Sequence, residues 1–290
     1  MKDYHGVYSA LITPMKKDES VNFSIISDLI EHQLQQGVQG FYLCGTSGEA
    51  LLLSIEERID FVREVSRVVK KRVPLIAHVG TLRTKDTIRL AQEASEAEVN
   101  AISMIPPYYY KFTQKEITSY YLEVLNNTDL PVLIYNIPQF THVAFNKENA
   151  KELLDHSQVL GVKHTSTDLY GLERIKTAYP DKVLFNGFDE MFLPALAAGA
   201  DATIGTTVNV LAGLFRKVAD LYEAGNMKDA LEVQTAINER VELFVKHGIF
   251  NAVKYALSIK GFDCGTCRSP FSPLTDEAKK EIEGIFDSQT

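Results

Sequence analysis

The chain is short of cysteine, of long apolar runs and of positive charge, and each shortage closes off a class of function. Cys44, Cys264 and Cys267 are the only cysteines in 290 residues. Three thiols cannot build a disulfide framework. Cys264-Gly-Thr-Cys267 has the CxxC spacing, but a zinc site needs further ligands at matching spacing, and none stands nearby. No metal is expected. No apolar run approaches the ~20 residues of a membrane span, and Met1-Lys-Asp-Tyr-His5 lacks the apolar core of a secretory signal. Lys+Arg total 30 against 38 Asp+Glu, a net charge of −8, which is the wrong sign for a broad nucleic-acid surface. These absences predict a cytoplasmic globular protein that acts on a small molecule, with neither membrane nor nucleic acid as partner.

What is present is an alternation. Apolar, strand-like runs occupy 6–14, 40–46, 73–80, 101–107, 131–138, 159–166, 182–189 and 200–207. They are apolar through most of their length, as strands covered on both faces are. Amphipathic segments lie between them. In 54–70, Ile55, Ile59, Val62, Val65 and Val69 form one stripe behind a Ser54-Ile-Glu-Glu57 capping box. Thr113-Gln-Lys-Glu116 opens a helix in the same way. Eight strands, each followed by a helix, fit a closed (β/α)8 TIM barrel of the α/β class, although pattern alone leaves an open doubly wound sheet possible. After 207 the alternation stops. Residues 210–223, 227–247, 249–260 and 275–287 all read as helices. The expected organisation is a barrel over 1–224 and a three-helix C-terminal extension over 225–290, packed as one structural unit.

The stretch Val159-Leu-Gly-Val-Lys-His-Thr-Ser166 holds the most chemistry. Side chains alternate along a strand, so Gly161, Lys163 and Thr165 share one face, and Val162 and His164 take the other. A lysine on a core-directed face is rare in packing, though one at a strand end also snorkels into water. Desolvation favours its neutral amine, the nucleophile that condenses with carbonyl substrates. Near pH 7 that requires losing roughly 3 pK units from ~10.4, on the order of 4 kcal/mol.

In a barrel the active site gathers where the strands end at their C-termini. The second run ends in Gly45-Thr-Ser-Gly-Glu49, where amides and hydroxyls suit a carboxylate or phosphate, or simply make a turn. The fifth ends in Tyr135-Asn-Ile-Pro138; Tyr135 is a proton shuttle or an ordinary core tyrosine. The seventh ends in Asn186-Gly-Phe-Asp-Glu190, whose carboxylates either cap a helix or accept hydrogen bonds from a polyol. Gly205-Thr-Thr207 ends the eighth with more hydroxyls.

Taken together, GTSGE at 45–49, YNIP at 135–138 and GVKHTS at 161–166 resemble the N-acetylneuraminate lyase and dihydrodipicolinate synthase superfamily of pyruvate-dependent aldolases. The likeness runs from Gly6 to about Phe271. NGFDE at 186–190, IGTTVN at 204–209 and CRSPF at 267–271 look most like the lyase branch. The resemblance implies that Lys163 forms a Schiff base with the keto carbon and that Tyr135 relays protons, oriented by Thr46. Thr46 and Ser47 would hold the carboxylate. Thr165, Gly187, Asp189, Glu190 and Thr206 would bind the sugar chain. Tyr109 would complete a hydroxyl relay in a neighbouring subunit's site. Members are mostly homotetramers that use no metal or organic cofactor. The chain departs from the lyases in carrying Thr46-Ser47 where Ser-Thr is frequent, and Thr206 where serine is common; each change keeps a hydroxyl. Synthases typically carry an arginine where Phe140 stands here, and phenylalanine cannot make its charge-assisted contact with a second substrate's carboxylate. A synthase, another sugar-acid aldolase and a catalytically silent keto-acid-binding barrel remain the alternatives. Without the resemblance, Gly205-Thr-Thr207 would also admit a phosphate-binding isomerase.

Overall fold

Parallel pairing runs without a break around β1 (Gly6–Ala10), β2 (Gly40–Leu43), β3 (Leu75–His78), β4 (Ala101–Met104), β5 (Val132–Asn136), β6 (Val159–His164), β7 (Val183–Asn186) and β8 (Ala202–Gly205). β8 then pairs with β1, Gly6 opposite Ala202 and Ser9 opposite Gly205, so the sheet closes into a barrel. The closure removes the open-sheet alternative. This computed structural model describes residues 4–287.

The strands are shorter than the apolar runs because the backbone leaves the ladder early. After β2, Cys44 sits at φ 53, a left-handed turn that throws the chain out of the sheet and into the 45–49 turn. Within each strand the period of two sorts the side chains. Tyr8, Tyr42, Leu133, Tyr135, Phe185 and Ile204 fill the barrel interior, while Phe41, Leu43, Val132, Ile134 and Val162 face the helices. Because Val162 points outward, Lys163 points in.

The helical layer comprises α1 (Ile26–Gln35), α2 (Ile55–Val69), α3 (Thr84–Glu96), α4 (Gln114–Leu125), α5 (Pro138–Thr141), α6 (Lys151–Leu154), α7 (Leu169–Ala178), α8 (Phe192–Ala197) and α9 (Val208–Glu223). Both capping boxes form: the Ser54 and Thr113 hydroxyls accept the amides of Glu57 and Glu116, whose carboxylates reach back. The expectation of one full helix after every strand fails at β5, which is followed by two single turns. Pro138 opens the first, and His142 at φ 57 ends it.

The extension is α10 (Met227–Lys246), α11 (Ile249–Ile259) and α12 (Asp276–Asp287). Gly248, at φ 88, makes the sharp turn between α10 and α11. Gln234 of α10 accepts the Leu193 amide at 2.9 Å and donates to the Asp189 carbonyl at 3.1 Å. That junction brings Val241, Val245, Ile249 and Phe250 over the C-terminal mouth of the barrel. Among the described residues no helix is long and apolar enough to cross a membrane.

Candidate active site

The mouth of the barrel holds a cavity of about 210 Å³. β5 and β6 put two of its groups side by side, since Tyr135 is the register partner of Lys163. Lys163 is 4% exposed. Its Nζ lies 4.0 Å from the centre of the Tyr135 ring and 4.1 Å from that of Tyr42. Burial holds the amine below the usual lysine range; neighbouring Tyr135 and Asp189 oppose this but do not overcome it. The two ring faces favour a cation, yet desolvation wins.

The hydroxyl turn after β2 lies opposite, across the barrel from β6. Gly48 N, Glu49 N and Ala50 N donate back into the turn, to the carbonyls of Gly45, Thr46 and Gly45. Among the described residues, nothing takes the amides of Thr46 and Ser47. The Thr46 hydroxyl lies 3.4 Å from the Tyr135 hydroxyl. Ser47 Oγ and Thr206 Oγ1 are 2.7 Å apart, which joins this turn to the end of β8.

The third wall comes from β6 and β7. Thr165 Oγ1 is buried without a hydrogen-bond partner, and a Cβ on Gly187 would stand 1.8 Å from it. Only glycine fits there. Asp189 does not cap the helix that follows it. Instead its Oδ2 accepts the Thr207 amide at 2.7 Å and the Thr207 hydroxyl at 2.8 Å, reaching across to the start of α9. Its Oδ1 is buried with no hydrogen-bond partner, against Gly205, where any Cβ would collide at 1.9 Å. Burial raises this carboxyl to about 6, against the opposing Thr207 bonds. Glu190 is half-buried beside it.

The cavity therefore gathers Lys163, Tyr135, Thr46, Ser47, Thr165, Gly187, Asp189, Glu190 and Thr206. Tyr109 does not join them: it is 84% exposed, at φ 74, with its ring against Tyr110. His164 faces away from the cavity, between Asn136 and the Asp168 carbonyl.

Other functional groups escaped the sequence reading. Tyr42 looked like one more apolar strand residue. His78 packs edge-on against the Tyr135 ring; its Nδ1 donates to the Cys44 carbonyl and its Nε2 accepts the Ile105 amide. Burial, then the charge of Arg58, hold it well below the ordinary histidine range, so it supports the tyrosine as a neutral ring. Asn209 donates to the carbonyls of Ala10 and Thr206 and steadies the β8 turn. Its sequence signal was present, in IGTTVN, but a buried amide is not distinguishable there from a helix-start residue. The thiols of Cys264 and Cys267 are both pushed up to about 12 by burial. Among the described residues no cluster of His, Cys, Asp or Glu is arranged to hold a metal ion.

An amine, a phenol and a hydroxyl turn in this arrangement suit covalent carbonyl chemistry. The sequence profile of the dihydrodipicolinate synthetase family matches residues 3–289. The chain belongs to that family. It is 41% identical over 271 residues to the N-acetylneuraminate lyase of Rhizobium meliloti (strain 1021), spanning 93% of this chain and 90% of that protein. The structure of CdNal from Clostridium difficile in complex with mannosamine superposes with a TM-score of 0.97 at 34% identity, covering all of both chains. Dihydrodipicolinate synthase DapA-2 of Bacillus anthracis superposes at 0.95 with 27% identity, over 99% of each chain. The fold is thus common to both branches, and the side chains at the mouth must distinguish them.

The raised Asp189 carboxyl makes a pH prediction. Its folded value of about 6 lies above the ordinary 3.8, so the folded protein binds the proton more tightly than the unfolded chain. Its contribution to stability is fully present below about pH 4 and is lost as pH rises through about 6, on the order of 3 kcal/mol in total. Urea unfolding of the protein and of Asp189→Asn, compared at pH 4 and pH 7, should show the variant gaining relative to the parent as pH rises. A stability difference that does not change with pH contradicts the assignment.

Proposed function

We propose that the chain is a pyruvate-dependent aldolase that reversibly cleaves N-acetylneuraminate to N-acetylmannosamine and pyruvate through a Schiff base at Lys163. The observation that carries this reading is a buried amine, depressed by desolvation, between a tyrosine and a turn with two free amides. The lyase names of its relatives point the same way.

The neutral Lys163 amine attacks the C2 carbonyl of the open-chain sugar acid, and water leaves to give an iminium. The Thr46 and Ser47 amides and hydroxyls hold the C1 carboxylate, a local attraction that an acidic protein needs for an anionic substrate. Tyr135 takes the proton from the C4 hydroxyl, with Thr46 steadying the phenol. The C3–C4 bond breaks: C4 leaves as the aldehyde of N-acetylmannosamine, and the electron pair passes into the iminium to form an enamine. Protonation at C3 and hydrolysis release pyruvate and restore the amine. The cycle needs no metal or organic cofactor. Thr165, Asp189, Glu190 and Thr206 supply polar contacts for the polyol chain. Gly187 leaves it room, and Phe140 stands where a synthase would use a cation.

Assembly belongs to the same proposal. Tyr109 and Tyr110 are exposed aromatics, and a largely apolar hollow of about 320 Å³ opens beside Thr46, lined by Leu51, Tyr108, Phe140 and Phe271. A homotetramer in which Tyr109 completes the neighbouring site fits both features; the compartment proposed for it is the cytoplasm. Sedimentation at assay concentration checks it, and a fully active monomer contradicts it.

The substrate assignment is tested by assaying N-acetylneuraminate cleavage beside condensation of pyruvate with aspartate semialdehyde. Efficient cleavage and negligible condensation are expected; the reverse would make the chain a synthase. In the same assay Tyr135→Phe should lower kcat by roughly 10²–10⁴ with the fold intact. A near-normal kcat would remove Tyr135 from the proton relay.

A further inference from the structure

The turn carrying Thr46 and Ser47 is held from behind by an ion pair that water does not reach. Glu49, the last residue of GTSGE, closes the turn at φ 56, an unfavourable conformation for a residue with a Cβ. Its Oε1 lies 2.5 Å from Lys254 Nζ of α11, and both side chains are 0% exposed. Its Oε2 accepts the Arg268 amide at 2.8 Å. Lys254 also donates to the Thr266 carbonyl at 3.2 Å. The Arg268 guanidinium then reaches the Leu52 and Glu19 carbonyls and the Glu57 carboxylate at the start of α2. The segment running through Cys264 and Cys267 is thereby strapped across the back of the turn.

A buried ion pair is a poor device for stability alone, because apolar residues of similar volume serve as well or better. What it adds is geometry. The charges link the C-terminal extension, more than 200 residues away in sequence, to the turn whose Thr46 and Ser47 line the same cavity as Lys163. The Glu49 amide itself donates to the Thr46 carbonyl at 3.1 Å, so a shift at Glu49 moves Thr46 directly.

We infer that Glu49 and Lys254 are positioning residues for the substrate carboxylate, fixing from the C-terminal extension the direction in which the Thr46 and Ser47 amides point. The inference rests on the reading above that this turn receives the carboxylate. Neither residue touches the reacting atoms.

The test compares pyruvate with acetone, a ketone lacking the carboxylate, by borohydride trapping on Lys163. Wild-type protein should trap both; a wild type that traps neither sinks the aldolase reading before any variant is made. Lys254→Met should raise the pyruvate concentration for half-maximal trapping about tenfold or more, the weight of one charge-assisted contact. The maximal rate and the trapping of acetone should stay within about twofold. The double variant Glu49→Gln/Lys254→Met buries no unpaired charge and should show the same pyruvate-selective loss, so it carries the test if the single variant does not fold. Equal losses for both ketones, or no loss for either, overturn the inference and leave the pair as packing. Failure of both variants to fold overturns it too.

Discussion

The structure depends on the cost of burying one ammonium group. Lys163 stands inside a closed barrel, and among the described residues no carboxylate pairs with its amine. A charge kept there would forgo water for two tyrosine faces, so burial shifts the amine toward its neutral form. The other features around it follow from using that amine. Register places Tyr135 beside it, the left-handed bend at Cys44 brings the hydroxyl turn opposite, and Gly187 and Gly205 let the third wall approach. None of these residues is reactive alone; the closed sheet makes them a set.

The barrel was legible in the sequence because strands buried on both faces read as continuous apolar runs, and because βα alternation has few solutions. Period two separated Lys163 from Val162, and the closed barrel shows which face is which, with Val162 packed against the helices. Strand ends were less so. Apolar residues such as Ile105 and Ile137 continue the pattern after the ladder has stopped, since they line the mouth of the barrel. The region after β5 defeated the helix rule for a local reason, a proline start and a left-handed stop only a few residues apart.

The site was legible where a motif sits at a strand end, and obscure where the role depends on a distant partner. Asp189 looked like a helix cap or a sugar ligand; the cap reading fails, because its one bonded carboxylate oxygen goes to Thr207, 18 residues on. Tyr42 and His78 reach the site only because neighbouring strands are in register. Lys254 looked like one more polar residue of a helix, and nothing local shows that it meets Glu49. Such pairings are products of closure and docking, and a single sequence carries no periodicity for them.

The covalent role of Lys163 decides the chemistry of this site. Incubation with pyruvate and borohydride, followed by peptide mass spectrometry, measures it directly. The predicted result is one reduced adduct, on the peptide bearing Lys163, forming at a rate that climbs with pH and levels off below the ordinary lysine pKa of ~10.4, because the buried amine is already neutral there. An adduct on another lysine, no adduct, or a rate still climbing beyond that value would contradict it.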